Sequence, residues 1–499
     1  MISLGMDIGG TGCKCVAFDE NGTQLALAYE EYPLDAGTVK LPVSVLTESV
    51  LKAIGRCTAS LDDPRQVCAI SVCSFGESFV AIDRDGQPVD DILLYFGNTG
   101  NQAFDDVVKQ VGAQTIMQIT RVSPDPSYSL AGMLKTLQEA EKPVWKFLFI
   151  AGYICFVLSG NPCSDVSLAC RSMLYDVEKR DWSKPLLDAA HIAREQMPEV
   201  LPSGSVVGRI LPELARRLNI PEDVRIVAAG HDQIVNALGA GVMNRGEAVD
   251  TSGTCECLTP LFGDLPRELT FTAHNFACVP YLQDTGYVTY AYNVSAGSVV
   301  RWYRDAFGDL VKLEAEKQGI SVYEALDRNC RKTPSELLLM PFLQGMGGTP
   351  DVDPAACGLL AGFSTRTRRP EIYRAILEGV TFEMRYNMEL LQQGGVRIQT
   401  LKACGGGARS DIWLKIKADI LGCEIIPVCA EETGAMGCAI LGLCAVTGEK
   451  PFQCAKRFHR YRPAVQPDPE NQAIYEKKYA AYKAMRALYM DHSVLKYGK

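Results

Sequence analysis

The chain opens on Ile2-Ser-Leu-Gly-Met-Asp7-Ile-Gly9-Gly10-Thr11-Gly12-Cys-Lys14. The apolar run before Asp7 predicts a short buried strand that ends in a carboxylate, and the glycines that follow require a tight turn. A second strand is predicted over residues 14–19, and Asn21-Gly22 after it is a hairpin turn signal. The stretch therefore predicts a β-hairpin with glycines and an acid at its bend.

A similar layout recurs in the second half of the chain. A predicted strand over residues 247–250 leads into the turn Thr251-Ser-Gly-Thr254, and a long predicted helix over 370–392 precedes a strand over 400–403. In the first half, helical patterning at 43–56 precedes predicted strands at 67–72 and 79–83. Alternating strands and helices indicate an α/β architecture. We expect a boundary near residues 238–242, where Gly239-Ala-Gly241 would serve as a hinge.

Length and composition exclude several classes of function. At about 150 residues per domain, 499 residues predict two to four domains rather than one small binding module. The chain has 50 Lys and Arg against 59 Asp and Glu, a net charge of −9, and no basic block. Nucleic acid and anionic membrane surfaces are therefore not expected as partners, because both require concentrated positive charge.

The 19 cysteines are irregularly spaced and include no C-x-x-C pair. We expect reduced thiols that pack as small apolar residues in a reducing cytoplasm, and no metal cluster. The first ten residues lack the cationic region of a signal peptide. The most apolar later run, residues 147–158, is shorter than the roughly 20 residues that a membrane span needs. A cytoplasmic protein is expected.

Two turns carry the chemistry of phosphate binding. In the first, glycine N–H groups can approach an anion, Asp7 suits a hydrated magnesium ion, and Lys14 can neutralise phosphate charge. The second, Asp250-Thr-Ser-Gly-Thr254, again sets an acid beside small hydroxyl residues after a strand. The first turn does not match the G-x-x-x-x-G-K-[ST] loop, and a purely structural role stays open for both hairpins.

Two further segments set chemically useful residues between a strand and a helix. Gly405-Gly-Gly-Ala-Arg-Ser410 precedes a helix predicted over 411–421, so a flat ring or ribose can approach the glycine backbone near a helix N-terminus. Mere packing is the alternative. Gly230-His-Asp232-Gln follows a predicted strand at 225–229 and presents an acid where α/β folds bind ligands. For Asp232, helix capping is the alternative.

These four elements, in this order, resemble the FGGY family of carbohydrate kinases, relatives of glycerol kinase and xylulokinase in the actin-like ATPase superfamily. The resemblance extends over residues 2–489 and is most specific from Lys402 to Gly442, through Ala418-Asp-Ile-Leu-Gly to Glu432-Thr-Gly-Ala-Met-Gly-Cys-Ala. Further matching segments are Asp165-Val-Ser-Leu-Ala-Cys-Arg-Ser, Ala296-Gly-Ser-Val-Val-Arg-Trp, Asp353-Pro with Gly358 and Gly362, and Ala375-Ile-Leu-Glu-Gly-Val.

The resemblance implies an α/β fold of two actin-like (ribonuclease H-like) domains with a central cleft for ATP and sugar. It divides the chain into an N-terminal FGGY domain over 1–240, a C-terminal FGGY domain over 241–450 and a helical extension over 451–499. The extension is expected to pack on the core through residues at helical spacing: Tyr475, Tyr479, Tyr482, Met485 and Tyr489. Family members are often dimers, so a homodimer is compatible with the resemblance.

The family transfers phosphate from Mg-ATP to a hydroxyl of a sugar or polyol. By this resemblance Asp232 is the general base, and Asp7 orients Mg²⁺ through water. The expected ATP-binding residues are Gly9, Gly10, Thr11, Lys14, Gly253 and Thr254 at the phosphates, and Gly405, Gly406, Gly407, Ala408 and Ser410 at the adenosine. Closure of the domains at the hinge would exclude water, the competing nucleophile.

The substrate segments depart from the family pattern. Phe75-Gly-Glu77-Ser stands where xylulokinases have Gln-Met-His-Gly and glycerol kinases have Arg-Glu-Thr, so the arginine is missing and glycerol is disfavoured. Tyr95-Phe-Gly-Asn98 offers an amide in place of the usual acid. The residues expected to bind a polyhydroxylated substrate are Phe75, Glu77, Tyr95, Asn98, Asp232 and Gln233.

The leading hypothesis is a kinase for a ketopentose such as xylulose, or for a related ketose. A polyol or a deoxy sugar is an alternative substrate. Two other classes stay open: a sugar-binding sensor with reduced turnover, and an actin-like ATPase that moves a partner protein. His231 is expected to hold its loop through a ring hydrogen bond, and Cys255 and Cys257 to serve in packing.

Overall fold

The computed structural model of the protein describes residues 1–35, 37–97 and 100–491. Its strands, in chain order, are β1 (Ile2–Ile8), β2 (Gly12–Asp19), β3 (Gln24–Glu31), β4 (Lys40–Leu41), β5 (Val67–Ser74), β6 (Phe79–Ile82), β7 (Ile92–Leu93), β8 (Lys146–Phe149), β9 (Cys163–Asp165), β10 (Tyr175–Asp176), β11 (Asp181–Trp182), β12 (Glu199–Leu201), β13 (Ser205–Arg209), β14 (Arg225–His231), β15 (Glu247–Ser252), β16 (Glu256–Phe262), β17 (Val279–Pro280), β18 (Tyr287–Val288), β19 (Ala291–Asn293), β20 (Leu338–Met340), β21 (Leu359–Ala361), β22 (Thr400–Cys404) and β23 (Glu424–Pro427).

The α-helices alternate with these strands along most of the chain. They are α1 (Val43–Ala59), α2 (Gln102–Val111), α3 (Ala113–Thr120), α4 (Ser129–Glu139), α5 (Ile150–Ser159), α6 (Val166–Ala169), α7 (Lys184–Ala189), α8 (Pro212–Leu218), α9 (Asp232–Ala240), α10 (Thr270–Ala273), α11 (Gly297–Phe307), α12 (Asp309–Gln318), α13 (Val322–Asn329), α14 (Arg369–Gln393), α15 (Asp411–Leu421), α16 (Thr433–Thr447), α17 (Pro451–Ala455) and α18 (Pro469–Asp491). Short 3₁₀ helices lie at Pro64–Gln66, Tyr95–Gly97, Cys170–Ser172, Arg194–Gln196, Leu282–Asp284 and Gly406–Arg409.

The N-terminal half is built on a six-stranded sheet with the order β13-β14-β5-β1-β2-β3. β1, β2 and β3 form an antiparallel meander, and β5 and β14 continue the sheet in parallel with β1. In this register Asp7 lies opposite Lys14 on one side and Cys73 on the other. β1 extends through Asp7 to Ile8, beyond the predicted strand end, because both neighbouring strands pair with its last residues.

A seven-stranded sheet repeats this central arrangement in the C-terminal half. β15 pairs antiparallel with β16 and parallel with β22, and β23 continues in parallel. β17, β18 and β19 complete the sheet on the β16 side. The predicted α/β fold is therefore confirmed, and the recurrence seen in the sequence corresponds to two sheets with a common core. β15 continues through Ser252, so the second turn is shorter than predicted.

Helix α16 connects the two halves. Although it follows the second sheet in the chain, it packs on β1, β5 and α9 of the N-terminal half. Backbones approach closely where it crosses α9, since a Cβ at Gly239 would lie 1.9 Å from the Thr433 carbonyl oxygen. A Cβ at Gly437 would lie 2.0 Å from the Val235 carbonyl oxygen. Of the predicted hinge, Gly239 belongs to this crossing, and Gly241 ends α9 with φ 95°.

The C-terminal helix α18 docks on α14 through three glutamates, of which Glu378 and Glu383 are buried and Glu389 is half-buried. Three tyrosines of α18 each donate a hydrogen bond to a glutamate of α14, at 2.6 to 2.8 Å, and a basic side chain of α18 pairs with each glutamate. The sets are Tyr475 and Lys478 on Glu378, Tyr479 and Lys483 on Glu389, and Tyr482 and Arg486 on Glu383. The tyrosine stripe is thus an anchor of the helix on the core.

All 19 cysteines are free, as predicted. Cys257 is buried beside the turn between β15 and β16, and Cys255 is partly exposed. Across residues 1–35, 37–97 and 100–491, none of the helices combines the length and apolar character needed to cross a membrane.

Candidate active site

Asp7 lies near the carboxyl end of β1, at the centre of the N-terminal sheet. Its Oδ1 accepts a hydrogen bond from Cys73 Sγ at 3.5 Å, and a Cβ at Gly434 of α16 would lie 2.7 Å from its Oδ2. Burial raises the pKa of Asp7, and the charge of Lys14 opposes that rise. The carboxylate is therefore held in a narrow space between the sheet and the first turn of α16.

The first glycine turn follows directly. The Gly9 N–H donates to the Gly12 carbonyl at 2.9 Å, and Thr11 is exposed at the tip. Open space surrounds the α-carbon of Gly10 on its side-chain side. Lys14, which we expect at the phosphates, pairs here with Glu432 at 2.9 Å, just before the first residue of α16. Lys14 thus joins the first turn to α16.

The second turn lies between β15 and β16. The Gly253 N–H donates to the Cys255 carbonyl at 2.9 Å, and Gly253 and Thr254 are both exposed. Arg301 of α11 donates to Thr254 Oγ1 at 3.0 Å. The turn is therefore supported from α11 by a cation, Arg301, that was not among the predicted site residues.

A cavity of about 600 Å³ opens at this second turn. Its lining residues come from the turn, from α11 and α13, from α14, and from the glycine-rich loop: Ser252, Gly253, Thr254, Gly297, Val300, Arg301, Ser321, Tyr323, Glu324, Asp327, Tyr373, Gly406, Gly407, Arg409, Ser410 and Trp413. A volume of this size is in the range of small-molecule and cofactor sites. The structure thus brings together two segments that are about 150 residues apart in the chain.

The glycine-rich loop approaches the second turn through backbone contacts. Gly405 has φ 81°, and a Cβ there would lie 2.7 Å from the Ser252 carbonyl oxygen. A Cβ at Gly407 would lie 2.6 Å from Ser252 Cβ. Ala408 is buried behind the loop, and Ser410 Oγ caps α15 by accepting from the Trp413 N–H at 3.2 Å. Glycines are therefore required here to bring two backbones together.

A buried ion cluster supports the second turn from behind. Lys417 of α15 pairs with Asp250 at 2.5 Å and with Glu256 at 2.7 Å, and its Nζ also donates to Ser252 Oγ at 2.5 Å. All four side chains are buried. The cluster joins the start of the turn, the strand after it and the helix that follows the glycine-rich loop.

Asp232 is the first residue of α9, at the carboxyl end of β14. Its Oδ1 is buried and accepts no hydrogen bond, and Gln233 Oε1 likewise has no partner. Burial, with the negative charges of Asp7 and Glu77, raises the pKa of Asp232 to about 8. The Asp232 carboxyl is therefore close enough to feel the charges of both Asp7 and Glu77.

His231 supports this carboxyl without ionising. Its Nδ1 shares a hydrogen bond with the Tyr290 hydroxyl at 3.2 Å, and its Nε2 lies 3.4 Å from Asp232 Oδ1. Burial and the nearby Arg171 lower the pKa of His231 well below its usual value. The ring is therefore neutral and makes the loop-holding hydrogen bond that the sequence analysis expects.

Three of the predicted sugar-binding residues, Phe75, Glu77 and Tyr95, lie close to one another. The Phe75 and Tyr95 rings are 6.4 Å apart, and burial with the charges of Glu77 and Asp232 raises the pKa of Tyr95 to about 12. Glu77 pairs with Arg171, whose Nε donates to Glu77 Oε1 at 2.5 Å. Asn98, the remaining predicted contact, lies outside the described residues.

Sequence reasoning missed three side chains at this site: Arg171, Arg301 and Asn236. Arg171 and Arg301 belong to segments that carry the family resemblance, which was the available signal. Asn236 follows Asp232 by four residues, so helical spacing sets both on one face of α9. The partners of all three are distant in the chain, and only the folded structure identifies them.

Comparison with known families agrees with this geometry. The model described as the FGGY family of carbohydrate kinases, N-terminal domain, matches residues 2–239, and the C-terminal domain model of that family matches residues 251–446. A xylulose kinase of Lactococcus lactis is 28% identical over 500 residues, covering 96% of this chain and 95% of that protein. A gluconokinase of Bacillus subtilis is 26% identical, covering 89% of this chain and 87% of that protein.

Solved structures show the same fold. A gluconate kinase from Lactobacillus acidophilus aligns with a TM-score of 0.86 at 22% identity, and the alignment covers 98% of each chain. A ligand-bound xylulose kinase from Lactobacillus acidophilus aligns with a TM-score of 0.86 at 21% identity, again over 98% of each chain. At these identities the likeness concerns the fold alone.

Proposed function

The chain belongs to the FGGY family of carbohydrate kinases, and we propose that its substrate is a ketopentose such as xylulose, or a related ketose. As a member of that family it is a phosphotransferase whose acceptor is a sugar hydroxyl. The observation that carries the proposal is the Asp232 carboxyl, which has an unpartnered buried oxygen and is influenced by the charges of Asp7 and Glu77. Such a group suits a general base.

The proposed reaction is a direct transfer of the γ-phosphoryl group of ATP. A bond forms between the substrate oxygen and the γ-phosphorus, and the bond from that phosphorus to the β–γ bridging oxygen breaks. Asp232 receives the hydroxyl proton, and ADP leaves. Because the transition state of such transfers is loose, orientation of the acceptor and neutralisation of charge are expected to contribute most.

We propose that the 600 Å³ cavity binds the nucleotide. The adenosine would lie against Gly405, Gly406, Gly407, Ala408 and Ser410, and the phosphates against Gly9, Gly10, Thr11, Gly253 and Thr254. Lys14 would leave or share its pairing with Glu432 to meet phosphate. Arg301 joins this proposal because it already donates to Thr254 Oγ1.

Mg²⁺ fits the residues at Asp7. The charge of Asp7 raises the pKa of Asp232, so a cation bound beside Asp7 would reduce the repulsion between the two carboxylates. Among the residues that the structure describes, no three His, Cys, Asp or Glu side chains form a metal site by themselves. Asp7 would therefore hold the ion through water, and the ion would neutralise phosphate charge during transfer.

Hydrogen-bond chemistry supports a polyhydroxylated acceptor. Asp232 Oδ1 and Gln233 Oε1 are buried acceptors without donors, and sugar hydroxyls supply donors. Phe75 and Tyr95 offer apolar surface beside them. A polyol or a deoxy sugar presents similar donors and is the alternative substrate.

We retain the division into domains at 1–240, 241–450 and 451–499 as a proposal, with one refinement. Because α16 packs on the N-terminal sheet, it would move with the N-terminal half if the cleft closes. Closure near Gly241 would then bring the second turn and the glycine-rich loop toward Asp7 and Asp232, and exclude water from the transfer.

The test is ADP release with Mg-ATP across ketopentoses, ketohexoses, deoxy sugars, polyols, glycerol and sugar acids. We expect one ketose to raise the rate by roughly a hundredfold, the scale of a positioned general base, and Asp232→Ala to abolish that rise. Asp188→Ala removes an exposed acid that pairs with Lys184 and is the matched control.

Each other outcome identifies a different function. A flat panel with normal ATP binding contradicts the kinase proposal for these sugars and favours a sugar-binding sensor. ATP hydrolysis that is fast without sugar and unaffected by sugar favours an actin-like ATPase that acts on a partner protein.

A further inference from the structure

Glu77 occupies a strained position in the sugar site. Its φ is 65°, and the Ser78 N–H donates across it to the Gly76 carbonyl at 2.8 Å, which forms a three-residue turn. Left-handed backbone is disfavoured for a residue with a Cβ, and such strain often marks functional positions. The turn presents the Glu77 carboxylate to one cation, Arg171.

Arg171 is held firmly at that carboxylate. Its Nε donates to Glu77 Oε1 at 2.5 Å, and its Nη2 contacts the same oxygen. The guanidinium lies 4.8 Å from the ring centre of Tyr128 and 5.4 Å from that of Tyr290. Only 14% of the Arg171 side chain and 11% of the Glu77 side chain are exposed. The charge of Arg171 is therefore neutralised inside the site.

Unpartnered acceptors and further acidic side chains lie near this pair. Asp232 and Gln233 present unpartnered oxygens, and Asp7 adds a further carboxylate beside Asp232. The charges of Glu77 and Asp232 both reach Tyr95. A sugar hydroxyl can donate to the unpartnered oxygens, whereas a carboxylate on the substrate would face the Glu77 charge and find Arg171 already paired.

We propose that the Glu77–Arg171 pair selects uncharged polyhydroxylated substrates and rejects sugar acids, with Glu77 as the specificity-determining residue. The inference rests on the proposed function, because it assumes that the acceptor binds beside Asp232. Glu77 acts by occupying the guanidinium that would otherwise attract a substrate carboxylate. The arginine of the sugar site is thus present, but it is not available to an anion.

Glu77→Gln tests this arrangement because it keeps the side-chain length and removes the negative charge. Arg171 then has a neutral partner and attracts an anionic ligand. We expect the affinity for D-gluconate, measured by titration calorimetry, to rise at least tenfold relative to the affinity for D-xylulose. The same change is expected in the ratio of kcat/KM values for the two compounds.

The rise in gluconate affinity that we expect from Glu77→Gln must depend on Arg171. In the double variant Glu77→Gln with Arg171→Gln we expect gluconate affinity to return to the wild-type level. Glu371→Gln is the matched control, because it frees Arg331 from a 2.8 Å ion pair outside the sugar-binding residues, and it should leave both affinities unchanged. Arg171→Gln alone leaves the strained turn unaltered and should not raise gluconate affinity, which provides a second test if Glu77→Gln does not fold.

The results separate this inference from the proposed function. Wild-type protein that binds gluconate as well as xylulose overturns the inference, even if both sugars are phosphorylated. The inference is also overturned if Glu77→Gln does not raise the affinity for gluconate. It is overturned as well if that rise persists when Arg171 is also replaced. If no neutral ketose is phosphorylated, the proposed function is wrong. The inference is then still tested by whether Glu77→Gln raises the affinity for gluconate.

Discussion

Asn236, one helical turn after Asp232 on α9, donates a hydrogen bond from Nδ2 to Thr251 Oγ1 at 2.7 Å. Its Oδ1 accepts from Thr433 Oγ1 of α16 at 2.5 Å, and Cys404, before the glycine-rich loop, lies 4.0 Å away. One amide thus joins α9, which carries the proposed base, to β15, α16 and the end of β22.

We expect Asn236→Ala to weaken ATP binding roughly tenfold, because Thr251 and Thr433 each lose a partner, and each unpaired group costs about 1–3 kcal/mol. The variant should raise KM for ATP more than it raises KM for the sugar. Titration of ATP into each protein provides the measurement.

The control for this change is Asn329→Ala, which removes an exposed amide bonded to Glu314 at 3.0 Å. It should leave ATP binding unchanged. Equal ATP affinity in Asn236→Ala and the control would show that the amide does not organise the nucleotide site.

Asp232 makes folding stability depend on pH. Its pKa is raised to about 8 in the folded protein, against a usual value of 3.8. As the pH rises from about 4 to 8, the unfolded chain loses this proton before the folded chain does, so the free energy of unfolding falls. We expect Asp232→Asn to be more stable than wild type at pH 9, by on the order of 1 kcal/mol.

Urea unfolding at pH 5 and pH 9 measures this difference. The stabilisation by Asp232→Asn should be larger at pH 9 than at pH 5, whereas Asp188→Asn should show no such trend. A difference that is the same at both pH values would contradict the raised pKa. We expect Asp232→Asn to lose sugar-dependent activity although it is more stable than the wild type at pH 9.

Lys417→Met should destabilise the protein by about 3–5 kcal/mol, because Asp250 and Glu256 are left buried without their cation. ATP affinity should fall as well, since Ser252 loses its bond to Lys417 at the start of the second turn. Adding Glu256→Gln should recover part of the stability.

Lys415→Met is the matched control for Lys417, two residues earlier on the same helix. Lys415 is 40% exposed, and its buried partner Asp419 keeps hydrogen bonds from the Asp468 N–H and from Asn471 Nδ2, so loss of Lys415 should cost about 1 kcal/mol or less. Similar losses in the two variants would contradict the special role of the buried cluster. Urea unfolding and ATP titration give the two readouts.

Arg486→Met should loosen the C-terminal helix from α14. Glu383 would keep the Tyr482 hydroxyl but lose its buried cation, and Asp351 would lose a 2.9 Å contact. We expect a loss of about 3–5 kcal/mol in the free energy of unfolding, since one partner of a buried pair is removed.

Lys483→Met is the control on the same helix, because Lys483 is 40% exposed in its pair with Glu389. It should change stability by less than about 1 kcal/mol. Hydrogen exchange should show faster exchange of α18 amides in Arg486→Met than in Lys483→Met. Unchanged protection of α18 would argue against the anchoring role of Arg486.

Local sequence signals predicted much of the fold because they act within single elements. The apolar run before Asp7 and the glycines after it predicted the first hairpin, which β1 and β2 confirm, and Asn21-Gly22 predicted the turn that leads from β2 into β3. The bounds of α15 agree with the predicted 411–421, because Ser410 caps its start and Gly422 ends it. The strand bounds were less accurate at Asp7 and Ser252, where pairing with neighbouring strands extends the element.

The residues of the candidate site also fall into those that local sequence patterns predicted and those that only the folded structure revealed. Asp232 and the glycine turns were found from the sequence because each lies between a strand and a helix or a second strand, which a local pattern reveals. The Glu77–Arg171 pair joins positions 94 residues apart, and Asn236 meets Thr433 from 197 residues away. No periodicity or spacing connects such residues.

The sequence by itself determined the α/β class, the family resemblance and the turns that surround the proposed base, since these depend on residue types at short spacing. Only the tertiary structure decided that α16 packs on the N-terminal sheet, that Arg171 is neutralised by Glu77, and that Lys417 supports the second turn. These relationships arise from close packing of distant segments, where burial forces each charged or polar side chain to find a partner.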